Sequence, residues 1–184
     1  MRFLPESLKS MKILFIGPQG SGKSTQAELL AKELNLPRIS TGDIFRQLAQ
    51  ENSQQGREIR QIQKEGKLVD DVQTAKIVEE RIKRDDCKNG IILDGYPRNL
   101  PQKQMFDPGF DKVIYLKVPD EEVVERLMAR GREDDTPGSI KIRLSLYYGQ
   151  TQPLLDYYKN QGILKEIDGI GSVSKIQDEI KKSI

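Results

Sequence analysis

Apolar runs of strand length alternate along the chain with longer stretches in which apolar residues recur every three or four positions. The short runs predict five strands, at about 12–16, 37–40, 90–94, 112–118 and 163–167. The first periodic stretch, 23–34, has Ala27, Leu30 and Leu34 on one face, and similar stretches predict helices at 72–83, from 120 onward and at 173–182. This alternation is typical of an α/β domain in which helices cover both faces of a parallel sheet.

Two segments depart from a minimal repeat of strand and helix. Between 41 and 69 the sequence predicts two short helices, 43–51 and 56–65, before the long helix that leads to the third strand. We expect this insertion to lie above the C-terminal ends of the strands, where open α/β sheets bind their ligands. The second segment, 130–138, is a charged loop between two helices, and such a loop stays mobile unless a ligand orders it.

Length and composition suit one domain over residues 11–184, preceded at 1–10 by a short extension or an upstream-start sequence. The chain has 184 residues, of which 36% are hydrophobic, enough to bury a core without disulfides or a structural metal. The net charge of +2 gives no broad positive field that would attract a nucleic-acid polymer. No stretch approaches the roughly 18 apolar residues of a membrane-spanning helix, and the first ten residues lack the apolar core of a signal peptide. We therefore expect a cytoplasmic protein without a membrane partner.

Two residue types limit the chemistry that is available. The chain contains no histidine and a single cysteine, Cys87. It therefore has no histidine acid or base, no internal disulfide and no zinc cluster. Nothing near Cys87 in the sequence would activate its thiolate, so we expect a small core or helix-end residue. Catalysis is left to Lys, Arg, Asp and a bound metal ion.

The most informative motif directly follows the first predicted strand. Residues 17–24 read Gly-Pro-Gln-Gly-Ser-Gly-Lys-Ser, which is a complete phosphate loop. Its glycines allow positive φ and the following helix adds its dipole, so backbone N–H groups converge on one anion site. We expect Lys23 to reach the β- and γ-phosphates of a nucleoside triphosphate and Ser24 to coordinate Mg²⁺.

A second motif ends the third predicted strand. Residues 91–98 read Ile-Ile-Leu-Asp-Gly-Tyr-Pro-Arg, which puts Asp94 at a strand tip beside the phosphate loop. A carboxylate there can hold Mg²⁺ or its water shell, and Arg98 would extend into the same cleft as a bidentate clamp on a phosphate. The other arginines that we expect around a moving phosphoryl group are Arg46, Arg130, Arg132 and Arg143. Arg46 or Arg143 taken alone is better interpreted as a solvated surface residue, so this hypothesis depends on the set.

Together these motifs resemble those of the adenylate kinases. The shared segments, in the same order and spacing, are 17–25, 40–43, 66–69, 94–98 and Gln102, and the resemblance covers the chain from Met11 to the C-terminus. It implies a P-loop NTPase fold with a five-stranded parallel sheet, a helical insertion at about 40–69 that binds the nucleoside monophosphate, and a very short lid at about 130–138. It also implies Mg²⁺-dependent, reversible phosphoryl transfer by a monomer, from ATP to AMP, to give two ADP.

The resemblance further implies roles for individual residues. Those implied to bind ATP are Gly20, Ser21, Gly22, Lys23, Ser24, Thr25, Arg130 and Gly171. Those implied to bind AMP are Thr41, Arg46, Lys67, Leu68, Val69, Gly95, Arg98, Gln102, Arg132 and Arg143. The expected catalytic residues are Lys23, Arg98, Arg132 and Arg143, and Ser24 and Asp94 are expected to hold Mg²⁺ directly or through water. No general base is needed, because the attacking phosphate oxygen of AMP is already anionic.

The lid is where the sequence departs from the family. Gly131 is followed at once by Arg132-Glu133-Asp134-Asp135, without several residues that even short-lid members have. The segment contains no cysteine, which excludes a zinc-binding lid. We therefore expect the closed site to exclude water less completely than it does under a full lid.

Two other functions fit the same motifs. A UMP/CMP-type nucleoside monophosphate kinase shares this scaffold, but Thr41, Leu68-Val69 and Gln102 together favour adenine, because polar groups matched to the wrong base would stay unpaired. A non-catalytic nucleotide-binding switch could also use the fold. The presence of Lys23, Asp94, Arg98 and Arg143 argues against a switch.

Overall fold

The computed structural model describes residues 10–184, and within them five strands form one parallel sheet. The strands are β1 (Met11–Ile16), β2 (Arg38–Ser40), β3 (Gly90–Asp94), β4 (Lys112–Lys117) and β5 (Leu164–Asp168), in the spatial order β2-β3-β1-β4-β5. Each strand begins and ends within one residue of its predicted position. Of the predicted extension at 1–10, all but Ser10 lies outside the described residues.

Helices connect the strands. They are α1 (Lys23–Leu34), α2 (Thr41–Gln50), α3 (Gln54–Lys64), α4 (Asp71–Ile82), α5 (Leu100–Met105), α6 (Asp120–Arg130), α7 (Pro137–Leu146), α8 (Gln152–Asn160) and α9 (Val173–Ser183). A 3₁₀ turn covers Asp85–Cys87, and a π-helical turn, Tyr147–Thr151, joins α7 to α8. The predicted helices at 23–34, 72–83 and 173–182 are confirmed to within one residue at each end.

Alternate residues of β1 enter two separate hydrophobic cores. Leu14 and Ile16 belong to the core formed with α4 and α8, whereas Ile13 and Phe15 belong to the core formed with α1 and α9. Strands buried on both faces are continuous apolar runs, which explains the sequence of β1 and β3. The prediction of a parallel sheet covered on both faces is confirmed.

The order of the strands places the loops that follow β1 and β3 next to each other at the C-terminal end of the sheet. β1 lies between β3 and β4, and its Phe15 is level with Asp94 of β3. The phosphate loop that follows β1 and the segment that follows β3 therefore leave the sheet side by side. β2 and β3 lie on one side of β1, and β4 and β5 lie on the other. Ligands of open α/β sheets bind at such a switch point in the strand order.

The predicted insertion forms a small unit with its own apolar centre. Phe45, Ala49, Ile59 and Val69 bury their side chains there, between α2 and α3. Both helices begin two residues earlier than predicted, because Ser40 and Ser53 accept the N–H of the third residue of each helix, at 3.3 and 3.0 Å.

The connection between α6 and α7 spans residues 131–136. Gly131 ends α6 in the left-handed conformation, with φ of 65°. Thr136 begins α7 with a reciprocal capping box that includes Ser139. Both ends of this loop are thus fixed by local hydrogen bonds.

Two smaller expectations can also be compared with the structure. Cys87 is buried at the end of the 3₁₀ turn, and burial raises the pKa of its thiol, so it is a core residue as expected. Across residues 10–184, each helix is too short or too polar to cross a membrane.

Candidate active site

A cavity of about 590 Å³ opens at the C-terminal edge of the sheet. The phosphate loop, the α2–α3 insertion and the connection between α6 and α7 all contribute to its walls. Of the site residues predicted from the sequence, only Ser21 and Gly171 do not line it. The structure therefore brings the expected ATP side and the expected AMP side to one cleft.

The phosphate loop has the backbone that its glycines predict. Gly20 and Gly22 have φ of 87° and 88°, which side chains disfavour. A Cβ on Gly20 would also lie 2.9 Å from Leu127 Cγ of α6, so this position is constrained by packing as well. Ser21, within the loop, is buried, and its N–H donates to Pro18 O at 3.2 Å.

Lys23 lies in the cleft without an ion pair to any described residue. Its Nζ donates to Pro18 O at 3.2 Å. Burial lowers the pKa of Lys23 to about 8, with a contribution from nearby arginines and against the attraction of Asp94. A partly desolvated cation without a carboxylate partner is available to bind an anion.

Asp94 and Ser24 form the candidate metal site. Ser24 Oγ donates to Asp94 Oδ2 at 2.6 Å, and Arg38 Nη1 lies 3.3 Å from the same oxygen. The hydroxyl and carboxylate oxygens fit Mg²⁺, which prefers oxygen ligands and takes only one or two from protein when phosphates and water supply the rest. Residues 10–184 contain no cluster of three or more His, Cys, Asp or Glu side chains that could hold a metal ion.

Arg46 is held by a carboxylate that it shares with Arg38. Asp43 pairs with Arg46 through one oxygen and with Arg38 through the other. Burial alone would raise the pKa of Asp43, but the two arginines outweigh it and lower that pKa. Arg38 was not predicted as a site residue. Its position in a three-residue strand gives it no distinguishing motif, although it lines the cavity.

The segment after Asp94 joins the insertion to the sheet. Gly95 O accepts hydrogen bonds from Thr41 Oγ1 at 2.9 Å and from Arg98 Nε at 3.0 Å. Gly95 has φ of 90°, and a Cβ there would lie 2.6 Å from Thr41 Oγ1. The close approach of Thr41 and Arg98 therefore requires glycine at this position.

Gln102 lines the cavity, but its amide is already engaged with protein groups. Its Oε1 accepts from the N–H of Arg98 at 2.8 Å, and its Nε2 donates to Asp71 Oδ1 at 2.7 Å. These partners fix the orientation of the amide, since an N–H must donate and a carboxylate must accept. One hydrogen of Nε2 and one lone pair of Oε1 remain for a further hydrogen-bond partner.

Two predicted cations are paired with the acidic residues of the lid. Arg130 binds Asp135 through two hydrogen bonds, of 2.8 and 2.7 Å. Arg143 donates to the same carboxylate at 2.9 Å and also pairs with Asp134. Burial by itself raises the pKa of Asp135, but the two arginines reverse this effect and hold the pKa below its usual value.

Arg132 extends from the lid toward the cavity without an ion pair to a described residue. Partial burial lowers the pKa of Arg132, and repulsion from Arg130 and Arg46 lowers it further. The next residue, Glu133, pairs with Lys64 of the insertion at 2.9 Å. The short lid thus reaches the insertion across the mouth of the cleft.

Gly171 lies in the connection between β5 and α9, with φ of 123°. This connection is tied to the cleft by Arg126, whose Nη2 donates to Gly169 O at 3.0 Å. Arg126 lines the cavity but was not predicted. In the sequence it looks like a helix-surface residue paired with Glu122 four positions earlier, and that pair exists, at 2.7 Å.

The site thus combines a phosphate loop, a strand-tip aspartate and a ring of positive charge. The cations on the cavity wall include Lys23, Arg46, Arg98, Arg130, Arg132 and Arg143. Phosphoryl transfer depends on positioning and on charge stabilisation of this kind, so fold and site define a P-loop phosphotransferase.

Comparison with known proteins identifies the particular family. A family model described as Adenylate kinase matches residues 15–163. The adenylate kinase of Leptospira biflexa is 41% identical over 184 residues, which cover 94% of this chain and 99% of that protein. The adenylate kinase of Bifidobacterium longum is 43% identical over 181 residues, covering 92% and 97%. The chain belongs to the adenylate kinase family, whose members are nucleoside monophosphate kinases.

A more distant relative differs in length. The adenylate kinase of Caldanaerobacter subterraneus subsp. tengcongensis is 36% identical over an alignment of 212 residues, which covers 95% of this chain and 96% of that protein. The alignment is longer than the 184 residues of the chain. That relative therefore contains residues that have no counterpart here.

Proposed function

We propose how the residues of this cavity carry out the adenylate kinase reaction, the reversible conversion of ATP and AMP into two ADP. The observation that carries the proposal is that the phosphate loop and the α2–α3 insertion face each other across one cavity. A donor and an acceptor nucleotide can therefore be held with their phosphates adjacent, which removes most of the entropic cost of bringing them together. One chain lines the whole cavity, so we infer that a monomer suffices.

ATP occupies the side of the phosphate loop. Backbone N–H groups of 20–25 bind its phosphates, and Lys23 Nζ moves from Pro18 O to the β- and γ-phosphate oxygens. Arg130 contacts the same phosphates, and the Gly171 connection lies on the adenine side. Ser24 and Asp94 would hold Mg²⁺, which when bound neutralises charge on the β- and γ-phosphates.

AMP occupies the side of the insertion. Arg46 and Arg98 bind its phosphate. Among the described residues Arg98 forms no ion pair, although Asp94 lies near enough to attract it. Thr41, the segment 67–69 and Gln102 form the base pocket. The free hydrogen of Gln102 Nε2 and the free lone pair of Oε1 match a base edge that offers an acceptor beside a donor, as adenine does.

In the transfer step, an anionic oxygen of the AMP phosphate attacks the γ-phosphorus in line, and the bond to the β-phosphate oxygen breaks. Lys23, Arg132 and Arg143 stabilise the charge that spreads over the moving phosphoryl oxygens. Asp134 and Asp135 pair with Arg143 and orient its guanidinium. No proton has to be removed from the attacking group.

The assay that tests this proposal compares acceptors. Initial rates of nucleoside diphosphate formation are measured with ATP and each of AMP, CMP, UMP and GMP. We expect AMP to give the highest kcat/KM by a wide margin, because a pocket matched to one base leaves polar groups unpaired with another. A preference for CMP or UMP would instead favour a pyrimidine kinase. ATP binding without turnover of any acceptor would favour the non-catalytic switch.

A further inference from the structure

Helices α7 and α8 and the π-helical turn between them form one helical rod, which carries Arg143. Gln152 donates its N–H to Tyr147 O, five residues earlier instead of four. Pro153 follows immediately and has no N–H with which to continue an α-helical ladder. One additional residue in a turn rotates all later side chains by about 100° around the helix axis. The turn therefore decides which residue of the rod faces the active site.

Thr151, the last residue of this turn, faces the backbone of Arg98. Its Oγ1 donates to Arg98 O at 2.7 Å. The N–H of Arg98 is held from the other side by Gln102 Oε1, at 2.8 Å, and the Nε of Arg98 donates to Gly95 O. These bonds fix the backbone and Nε of Arg98 and leave its two terminal nitrogens available for a ligand.

Arg98 is fixed by neutral groups alone within the described part of the chain, where it forms no ion pair. Burial lowers the pKa of Arg98, and repulsion from Arg143 and Arg46 lowers it further, against the attraction of Asp94. An acidic partner would hold Arg98 more strongly, but it would also compete with a phosphate for the guanidinium. A hydrogen bond to the peptide carbonyl holds the residue and leaves its charge free.

The Thr151 bond also connects Arg98 to Arg143. Thr151 lies eight residues after Arg143 on the same rod, which corresponds to about 12 Å along the axis. Both residues line a small cavity of about 50 Å³ together with Lys23 and Arg98. The segment carrying one arginine is thereby attached to the rod carrying the other, although the two guanidinium groups repel each other.

We propose that Thr151 is a positioning residue for phosphoryl transfer, and that its hydroxyl holds Arg98 where Arg98 and Arg143 can bind neighbouring phosphate oxygens. The inference rests on the proposed role of Arg98 as a phosphate ligand. It assigns a purpose to the π-helical turn, which places the hydroxyl within hydrogen-bond distance of Arg98 O.

The test compares one substitution that removes the hydroxyl with one that keeps it. Thr151→Val removes the hydroxyl and keeps the shape, whereas Thr151→Ser keeps the hydroxyl. We expect Thr151→Val to lower kcat about tenfold or more and to raise KM for AMP, because small displacements of a positioning group are costly. KM for ATP should stay within about twofold, and Thr151→Ser should stay within about twofold of the wild type in kcat and both KM values. If Thr151→Val does not fold, Thr151→Ala against Thr151→Ser makes the same comparison.

A double-mutant cycle separates positioning from general stability. In an Arg98→Ala background, Thr151→Val should cause little further loss, because the group that it positions is gone. Wild-type kinetics for Thr151→Val, an equal loss in Thr151→Ser, or an undiminished loss in the Arg98→Ala background would each overturn the inference. If Arg98→Ala itself keeps full activity, the proposed role of Arg98 is wrong, and the inference about Thr151 that rests on it is wrong as well. If Arg98→Ala is impaired and Thr151→Val is not, only the inference about Thr151 fails.

Discussion

Arg130 binds Asp135 through two parallel hydrogen bonds, of 2.8 and 2.7 Å, and the Asp135 side chain is fully buried. Arg143 shares the same carboxylate, so one buried anion is the common partner of two cations of the active site. Asp135, near the end of the lid, thus joins the last residue of α6 to the arginine of α7.

We expect Asp135→Asn to lower the free energy of unfolding by about 3 kcal/mol at neutral pH, because removing one partner of a buried ion pair leaves uncompensated charge. Urea unfolding of both proteins measures the difference. Asp85→Asn is the matched control, since Asp85 is 91% exposed in its pair with Lys88, and it should change stability by less than about 0.5 kcal/mol. Equal stability of the wild type and Asp135→Asn would contradict a structural role for this carboxylate.

Acid should weaken the same interaction. The folded-state pKa of Asp135 lies below its ordinary value of 3.8, so its contribution is complete above that value and is lost as pH falls through the lower folded pKa. We therefore expect the stability difference between the wild type and Asp135→Asn to be largest near neutral pH and to shrink below about pH 4. Unfolding curves at pH 7 and pH 3 provide the comparison.

The activity should fall at alkaline pH as Lys23 loses its proton. Burial lowers the pKa of Lys23 to about 8, so the amine loses its charge above that pH. We expect kcat/KM for ATP to fall above pH 8 by about tenfold per pH unit, because this parameter reports groups of the free enzyme. The Lys23→Arg variant keeps its positive charge above pH 8, so its kcat/KM for ATP should not fall there. Its overall activity should be lower than that of the wild type. An unchanged alkaline fall in Lys23→Arg would assign it to another group.

The fold followed from the sequence wherever periodicity was strong. β3 and α1 have the predicted bounds, because a strand buried on both faces is a continuous apolar run and α1 repeats its apolar positions over three turns. α5 was not predicted, because six residues are too few to show a helical period. The π-helical turn was not predicted either, since Pro153 also fits the first turn of an ordinary helix.

The sequence predicts which residues belong to the candidate site, but it does not predict which of them pair with one another. The phosphate loop and Asp94 belong to contiguous motifs, so their positions could be derived from the sequence. The pairing of Asp43 with Arg38 and the bond from Thr151 to Arg98 join residues of different elements. Such partners depend on strand order and helix phase, which no local motif of this sequence specifies.

Selectivity for adenine should depend on Thr41 and Gln102 together. In the Thr41→Ala, Gln102→Leu double variant, we expect a lower ratio of kcat/KM for AMP to kcat/KM for CMP than in the wild type. Loss of Gln102 also removes the acceptor for the N–H of Arg98, which should slow both substrates. The ratio cancels that shared effect and is therefore the quantity to measure. An unchanged ratio would assign selectivity to the backbone of 67–69.

The short lid should allow some hydrolysis of ATP. The connection between α6 and α7 spans only 131–136, so it covers the phosphates less fully than a long lid that excludes water. We expect ATPase activity without AMP at a modest fraction of the kinase rate, and we expect Lys23→Ala to abolish it. Inserting a longer lid between Gly131 and Arg132 should suppress it. Undetectable ATPase activity in the wild type would mean that the ion pair of Glu133 with Lys64 and the reach of Arg132 close the cleft adequately.

The central claim is that this cavity transfers a phosphoryl group between ATP and AMP by means of Lys23 and Arg98. The most direct measurement is kcat for ADP formation by the wild type, Lys23→Ala and Arg98→Ala, with circular dichroism to verify folding. We predict that each substitution lowers kcat by at least about a hundredfold while the protein stays folded, because charge stabilisation of the moving group is lost. Near-normal turnover by either variant would contradict the proposed site.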